Sequence, residues 1–455
     1  MLRAWQKDAL KSAINKYRHT GRHFFCQATP GAGKTVYASE VAGYLLEHEM
    51  VDLVLCLAPS NAICDGIQQT FSKRLTKPFK GGLGDVGQVI TYQALQFLPE
   101  DFWFSLKGKR VFVVVDEVHH CSGSDQSEGN SWGSQIVSKI QNLATYTLAL
   151  SGTPWRSDFV PIVLSQYTDP EGKLVVDYQY SLKQAVADRV CRSPSVVLVD
   201  NERLSIAGDN GSESFSSILD YVKRSKASYK SLLYNQDAMS HVLKLGCEKL
   251  EEIRQTSPNA GGLVVAASVA HAKLIQAKLI EKFNQSAVIV TYHNDRPGKD
   301  IAAFRQGNTQ WIVSVGMVSE GTDIPRLQVC CHLSTIKTEL YFRQVLGRIL
   351  RITKSQNQQA WLFTFAEENL SKFAERIEED IPESFHYLKV TEWETDTANK
   401  TNEGVVISRE TPQTQSSSSL IWGESYTQVA TSTHEVNLTE LKLGHFKQRV
   451  ISAFL

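Results

Sequence analysis

The chain alternates short apolar runs with helical segments, and this alternation most constrains its fold. The first stretch contains the runs HFFCQAT (23–29), VDLVLCLAP (51–59), VGQVIT (86–91), RVFVVVDE (110–117) and TYTLALSGT (145–153). Helical patterns such as KTVYASEVAGYLLEH (34–48) lie between these runs. Continuous apolar runs are typical of strands buried on both faces of a sheet, and strands separated by helices favour parallel βαβ units. The stretch therefore predicts a parallel α/β unit.

The same alternation returns in a second stretch. Its apolar runs are LVVAAS (263–268), SAVIVTYH (286–293), QWIVSVG (310–316), QVCCHLS (328–334) and WLFTF (361–365). A chain of 455 residues is too long for one ordinary core. We therefore predict one α/β domain over residues 1–160 and a second over 261–366.

The remaining segments have less regular patterns. Residues 161–260 are expected to connect the two units and to be largely helical in their second half. Residues 367–455 form a C-terminal extension with a Ser/Thr-rich linker that includes TPQTQSSSS. The final stretch, VNLTELKLGHFKQRVISAFL, has apolar residues at near-helical spacing. It predicts a terminal helix that docks on the body of the protein or on a partner.

Composition excludes some classes of function. Lys+Arg and Asp+Glu each number 48, so no bulk charge favours nucleic acid or membrane, and any basic groove must be local. The eight cysteines contain no CxxC pair, which fits a reducing compartment. The chain shows no signal-peptide pattern and no apolar run of the roughly 20 residues that span a bilayer. We expect a cytoplasmic protein without membrane contact.

A phosphate-binding loop is predicted at ATPGAGKT (28–35), between a strand and a helix. The pattern GxxxxGK[ST] points backbone N–H groups at phosphate oxygens, and the helix N-terminus favours the negative charge. Lys34 can reach the β- and γ-phosphates, and Thr35 can bind Mg²⁺. Ala28 replaces the first glycine of the strict pattern. The alternative is a glycine-rich turn that binds no ligand.

The sequence DEVHHC (116–121) brings oxygen, nitrogen and sulfur donors close together. A phosphate loop needs a carboxylate at the end of a neighbouring strand to hold Mg²⁺, which Asp116 supplies, while Glu117 can polarise the attacking water. A zinc site is the first alternative, although His119 and His120 are adjacent and no second ligand pair is evident. A metal-dependent nuclease site is the second alternative.

These features resemble a known family, the DExH-type helicases and translocases of superfamily 2. The matching motifs, in chain order, are LRAWQ (2–6), ATPGAGKT (28–35), LAPSNA (57–62), ITYQAL (90–95), DEVHH (116–120), SGTPWR (151–156), VAASVAHA (265–272), VSVGMVSEGTDIP (313–325) and YFRQVLGRILR (341–351). The resemblance covers about residues 1–366. It implies two tandem RecA-like P-loop domains with parallel sheets, a mixed insertion and the C-terminal extension.

The resemblance also implies roles for individual residues. Contacts with the nucleotide are expected from Gln6, Thr29, Pro30, Gly31, Ala32, Gly33, Lys34, Thr35, Gly321 and Asp323. Coupling between motifs is expected from His119, Ser151, Thr153 and Gln344. Contacts with nucleic acid are expected from Pro59, Ser60, Thr91, Tyr92, Ser268 and Thr322. The catalytic set is Lys34, Asp116, Glu117, Arg348 and Arg351, with Thr35 and Asp116 as Mg²⁺ ligands.

The last motif has its own physical logic. Gln344, Arg348 and Arg351 are spaced by four and three residues, so a continuous helix would carry them on one face. Planar guanidinium groups suit a γ-phosphate and its transition-state charge. Arginines supplied by the second domain would make hydrolysis depend on domain closure. The alternative is an exposed basic helix with a core face.

The resemblance implies an ATP- and Mg²⁺-dependent helicase or translocase. The motifs resemble most the restriction-enzyme motor subunits and repair helicases, which favours DNA over RNA. An ATP-controlled DNA clamp without strand separation, an RNA helicase and a P-loop kinase are the alternatives. Because no nuclease motif is evident, cleavage would require a protein partner, a nuclease or another subunit, which would bind through the insertion or the C-terminal region.

Overall fold

The first unit is built on a six-stranded parallel sheet. The computed structural model describes residues 2–120, 139–140, 142–155, 162, 164–168, 174–208, 211–225, 228–291, 297–316, 324–378 and 441–454. The first eight strands are β1 (His23–Ala28), β2 (Leu53–Ala58), β3 (Gly87–Thr91), β4 (Val111–Asp116), β5 (Ala144–Ser151), β6 (Gln166–Tyr167), β7 (Leu174–Val175) and β8 (Tyr178–Tyr180). The sheet order is β3-β2-β4-β5-β1-β8, and β6 and β7 form a separate antiparallel pair.

Helices cover this sheet and connect its strands. They are α1 (Ala4–His19), α2 (Lys34–Glu47), α3 (Asn61–Leu75), α4 (Glu100–Leu106) and α5 (Leu182–Ala187). All six residues of β4 are buried, which is why its sequence is a continuous apolar run rather than an alternating one. The carboxyl ends of β1 and β4 lie at the same edge of the parallel sheet, because β5 separates them and all three strands run in one direction.

The second unit has a seven-stranded sheet. The remaining strands are β9 (Ser193–Asn201), β10 (Leu204–Gly208), β11 (Gly211–Phe215), β12 (Gly261–Ala266), β13 (Ala287–Val290), β14 (Trp311–Ser314), β15 (Leu327–Leu333), β16 (Gln359–Phe365), β17 (Leu441–Leu443) and β18 (Phe446–Ser452). The sheet order is β13-β14-β12-β15-β16-β9-β18. The pairs are parallel except at the edge, where β18 runs antiparallel to β9.

Within the described residues, seven helices belong to this half of the chain. They are α6 (Ile218–Arg224), α7 (Tyr229–Tyr234), α8 (Gln236–Thr256), α9 (Val269–Glu281), α10 (Pro297–Gln306), α11 (Glu339–Ile349) and α12 (Glu368–Glu375). Strand β9 comes from the segment that the sequence suggested as a connection, so the second sheet includes chain from outside 261–366. Within the described ranges, the model contains no helix whose length and apolar character would let it cross a bilayer.

The predicted terminal helix is wrong, because the described end of the chain forms strands. Strand β18 pairs with β9 along its whole length, and β17 pairs with β10. The ring of Phe446 stacks on His241 with centroids 4.1 Å apart. Without β18, the N–H and C=O groups along one side of β9 would lack ladder partners, so sheet pairing outweighs the local helical pattern.

Candidate nucleotide site

The phosphate loop lies between β1 and α2, as the sequence predicted. Gly31 and Gly33 have positive φ values of 83° and 93°, a backbone conformation that glycine adopts without a steric cost. A Cβ at Gly33 would lie 2.9 Å from Nε2 of Gln6, so this position also lacks room for a side chain. The loop therefore depends on glycine for its turn and for its close approach to α1.

The start of α1 braces this loop from one side. Nε2 of Gln6 donates to the carbonyl of Gly33 at 3.0 Å, and Oε1 of Gln6 accepts from the backbone N–H of Arg3 at 2.9 Å. Nη1 of Arg3 donates to the carbonyl of Ala32 at 2.6 Å, and the indole N–H of Trp5 donates to the same carbonyl at 3.2 Å. The motif LRAWQ thus has a structural role at the loop, whereas the contact of Gln6 with the nucleotide stays a prediction.

Two carboxylates at the end of β4 lie beside the loop lysine. The ammonium of Lys34 is 3.2 Å from Oε1 of Glu117. Glu117 has φ of 51°, a strained value for a residue other than glycine, which turns the chain sharply at the carboxyl end of the strand. Asp116 is 7% exposed, and its buried Oδ1 atom has no hydrogen-bond partner among the described residues.

The surroundings drive the pKa values of the two carboxyls apart. Burial, and secondarily the charge of Glu117, raises the pKa of Asp116 to about 7. Burial also raises the pKa of Glu117, but Lys34 and His119 together outweigh it and lower that pKa to about 2. Glu117 is therefore ionised at neutral pH, while Asp116 is poised to lose or gain a proton there.

His119 connects the DEVHH segment to the segment that follows β5. Its Nδ1 atom lies 2.9 Å from Oγ of Ser151 and 3.5 Å from Oε2 of Glu117. Oγ of Ser151 also accepts from the backbone N–H of Thr153 at 3.1 Å. Three of the predicted coupling residues thus form one buried chain of contacts. Among the described residues no three His, Cys, Asp or Glu side chains are grouped closely enough to hold a metal, and Cys121 lies outside those residues.

The second unit packs directly against the phosphate loop. A Cβ at Gly347 would lie 2.6 Å from Cβ of Pro30, and a Cβ at Gly31 would lie 3.4 Å from Cγ of Arg351. Burial is the main cause that lowers the pKa of Arg351 to about 10. The charged guanidinium of Arg351 therefore loses hydration in the cleft, and an anion bound there would offset this loss of free energy.

Helix α11 is shorter than the spacing argument assumed. It ends at Ile349, and Arg351 instead forms an isolated antiparallel bridge with Cys191. Gln344 and Arg348 are half-buried on the helix, but the position of Arg351 comes from the bridge rather than from helical periodicity. The expectation of three residues on one helix face therefore needs this correction.

The residues expected to contact nucleic acid have different environments. Tyr92 is fully buried, and its hydroxyl donates to the backbone carbonyl of Asp116, so its side chain supports β4 and is not available to a ligand. Oγ1 of Thr91 accepts from the N–H of Ala94, and Oγ of Ser268 caps α9. Pro59 and Ser60 are half-buried at the start of α3.

Three predicted site residues lie outside the described residues: Gly321, Thr322 and Asp323. Three further residues lie beside predicted site residues and were given no role by the motifs: Arg3, Trp155 and Cys191. Arg3 and Trp155 belong to matched motifs. Cys191 donates through Sγ to the carbonyl of Pro30 at 3.4 Å, and no local pattern in the sequence indicated it.

The fold and the site define a P-loop protein with two tandem RecA-like units. A family model for the res subunit of type III restriction enzymes matches residues 1–156. A fragment of an HsdR subunit of a type I restriction enzyme from Vibrio vulnificus has a similar fold, with a TM-score of 0.56 and 15% identity over 84% of this chain and 67% of that one. An ATP-dependent type ISP restriction-modification enzyme bound to DNA has a TM-score of 0.53 and 16% identity, over 81% of this chain and 28% of that one.

Several relatives match most of the chain in sequence. An uncharacterized protein of Mycobacterium tuberculosis is 30% identical over 83% of this chain. The match spans 63% of that relative's length. A DNA 3'-5' translocase of Sulfurisphaera tokodaii is 24% identical over 77% of this chain and 78% of its own length. The ordered motifs, the tandem sheets and these matches together support the resemblance to the superfamily 2 helicases.

Proposed function

We propose that the protein is an ATP-dependent helicase or translocase that acts on DNA. The observation that carries this proposal is the composite cleft. The phosphate loop, Lys34 and Glu117 come from the first unit, and Arg351 of the second unit packs against Gly31. A site assembled from two units makes the chemistry depend on their relative position, which is what a motor requires.

In this proposal the loop amides and Lys34 bind the ATP phosphates. Lys34 now neutralises Glu117 at 3.2 Å, and an arriving γ-phosphate would compete for the same ammonium. That exchange would free Glu117 to accept a proton from water, as the water oxygen bonds to the γ-phosphorus and the bond to ADP breaks.

Thr35 and Asp116 are the proposed ligands of Mg²⁺. Within the part of the chain that the structure describes, the buried Oδ1 of Asp116 has no hydrogen-bond partner, which suits an atom that binds a hydrated cation. When bound with ATP, the ion would neutralise charge on the phosphates. Because the cation requires an ionised ligand, its binding would also hold Asp116 deprotonated, although burial favours the protonated form.

Coupling between the units is assigned to contacts on either side of the cleft. His119, Ser151 and Thr153 form the chain that leads from Glu117 toward Trp155. The guanidinium of Arg343, on α11, lies over the ring of Trp155 with 5.4 Å to the centroid. A change at Glu117 during hydrolysis would thereby reach α11, the helix that carries Gln344 and Arg348, because Arg343 of that helix packs on Trp155.

DNA is favoured as the substrate by the relatives. One of them is described as a DNA 3'-5' translocase, and one solved structure with a similar fold is bound to DNA. Ser60 and Ser268 each lie at the N-terminal end of a helix, where backbone N–H groups favour phosphate. We assign these two positions, with Pro59, Thr91 and Thr322, to the nucleic-acid path, and Gly321 and Asp323 to the nucleotide.

The proposal is tested with ATP turnover measured in the presence of single-stranded DNA, duplex DNA, forked DNA and RNA. We expect stimulation by DNA and its loss in both Lys34→Ala and Glu117→Gln, because each variant removes a different group from the phosphate site. Undiminished turnover in both variants would refute ATP hydrolysis at this site. Stronger stimulation by RNA would refute the preference for DNA.

A displacement assay separates a motor from a clamp. A motor is expected to displace a third strand from a triplex, or one strand from a fork, only when ATP is hydrolysed. A clamp would bind DNA in an ATP-dependent manner and hydrolyse ATP without displacing either strand. The Glu117→Gln variant is the control, since it is expected to bind ATP without turnover.

A further inference from the structure

Arg192 lies in the connection between α5 and β9 and is completely buried. Its Nη1 atom donates to the carbonyls of Leu327 at 2.5 Å and Ile349 at 3.1 Å. Its Nη2 atom donates to the carbonyl of Pro325 at 3.2 Å and to Oγ1 of Thr353 at 3.3 Å. Among the described residues no carboxylate pairs with this guanidinium, so backbone dipoles alone offset most of its lost hydration.

The acceptors of Arg192 come from two elements that carry predicted site residues. Ile349 is the last residue of α11, and the N–H of Arg192 donates to the carbonyl of the next residue, Leu350, at 2.7 Å. The last carbonyls of a helix have no partners within the helix, and an arginine is well suited to bind several of them. Pro325 and Leu327 belong to the chain that enters β15, directly after the predicted nucleotide contact at 323.

The neighbour of Arg192 contacts the phosphate loop. Cys191 donates to the carbonyl of Pro30 and bridges to the backbone of Arg351. Two consecutive residues thus join the loop of the first unit, the end of α11 and the entry to β15. Arg351, which lies beyond the helix, has its place set by this junction.

We propose that Arg192 is a positioning residue that holds Arg351 against the phosphate loop during ATP hydrolysis. It does not touch the nucleotide. It acts through the carbonyls of Ile349 and Leu350 before Arg351 and the hydroxyl of Thr353 after it. This role rests on the proposed function, because it presumes that Arg351 acts on ATP. Lysine cannot replace it, since one ammonium with three donors cannot reach four acceptors spread over two elements.

Arg326 provides a matched control in the same unit. It is 7% exposed, and within the described residues its guanidinium donates to the backbone carbonyls of Asn259, Phe304 and Thr309 at 2.7 to 3.1 Å. None of these acceptors belongs to α11 or to the phosphate loop. Arg192→Lys and Arg326→Lys should therefore destabilise the fold to a similar degree, whereas only the first should disturb Arg351.

The experiment compares the wild-type chain, Arg192→Lys, Arg326→Lys and Lys34→Ala. For each, DNA-stimulated ATP turnover, ATP affinity and the thermal unfolding midpoint are measured. We expect Arg192→Lys to lower kcat at least about tenfold, because a misplacement of about 1 Å can cost about 100-fold. ATP affinity should change less than about threefold, since the loop of the first unit is intact. Arg326→Lys should keep its kcat at the same loss of stability.

Equal kcat losses in the two arginine variants, or a kcat of Arg192→Lys within twofold of wild type, would overturn the positioning role. If Lys34→Ala also retains turnover, the proposed function itself fails and the positioning role fails with it. Should Arg192→Lys not fold, Thr353→Val decides, because it removes one acceptor of Arg192 and leaves the arginine in place. We then expect kcat to be about threefold lower, and an unchanged kcat would count against the role.

Discussion

Replacing Gly347 by alanine adds one methyl group at the point where α11 meets the phosphate loop. The new Cβ would lie 2.6 Å from Cβ and 3.0 Å from Cγ of Pro30, whereas ordinary contacts begin at 3.4 Å. Helix and loop must therefore separate by about 1 Å before the methyl group fits. Displacements of this size in an active site can cost about 100-fold in rate.

We expect kcat for ATP hydrolysis to fall between about 10- and 100-fold in Gly347→Ala, while the fold is retained. Alanine is a better helix former than glycine by up to about 1 kcal/mol, so the substitution should not weaken α11 itself. The assay is steady-state ATP turnover with saturating DNA, together with the free energy of unfolding in urea.

Gly298→Ala is the matched control. Gly298 also lies in a helix of the second unit, α10, and a Cβ there would meet no atom within 4 Å. Its kcat should equal that of the wild-type chain. If Gly347→Ala keeps a kcat within twofold of this control, the cleft does not need the close packing of α11 on Pro30, and the closure argument is refuted.

Three further predictions concern stability and its dependence on pH. The raised pKa of Asp116 means that the folded state favours the protonated carboxyl more than the unfolded state does. Its contribution to the free energy of unfolding is complete below the ordinary pKa near 4 and is lost as pH rises through about 7. Asp116→Asn should accordingly raise the free energy of unfolding at pH 8 by up to about 4 kcal/mol and by less than half of that at pH 5; a gain that is equal at both pH values would contradict the assignment. Arg343→Met should lower that free energy by about 3 kcal/mol, since the carboxylate of Glu339 is 2% exposed and, among the described residues, would keep Arg376 as its one ionic partner; an additive double-mutant cycle with Glu339→Gln would count against this pair. A chain that ends at residue 440 should unfold at a lower temperature and self-associate, because it exposes the edge of β9; an unchanged midpoint by calorimetry and a monomer by light scattering would show that β18 is dispensable.

The extent to which the sequence predicted the site depends on how local each feature is. The phosphate loop and DEVHH were located because a few adjacent residues determine their geometry. The environment of Tyr92 could not be predicted in this way, since its burial depends on how the folded sheet brings the end of β3 near the end of β4. The left-handed conformation of Glu117 likewise depends on the sharp turn after β4 and has no signature in its residue type.

Arg192 and Cys191 illustrate the same limit for long-range contacts. Their partners lie more than 130 residues away along the chain, at Pro30, Leu327 and Ile349. No spacing rule applies over such a separation. The position of Arg351 is set by its bridge to Cys191 and not by the helical periodicity that the motif suggested, because α11 ends before that residue.

By itself, the sequence determined the two α/β units, the phosphate loop and the order of the motifs. Those features depend on hydrophobic periodicity and on spacings within about ten residues, which local sterics and burial impose on any fold the chain adopts. Only the tertiary structure decided that β9 and β18 complete the second sheet and that the two units meet at Pro30, Gly347 and Arg351. The physical reason is that strand pairing and cleft packing depend on which distant surfaces are available, and a local pattern contains no record of them.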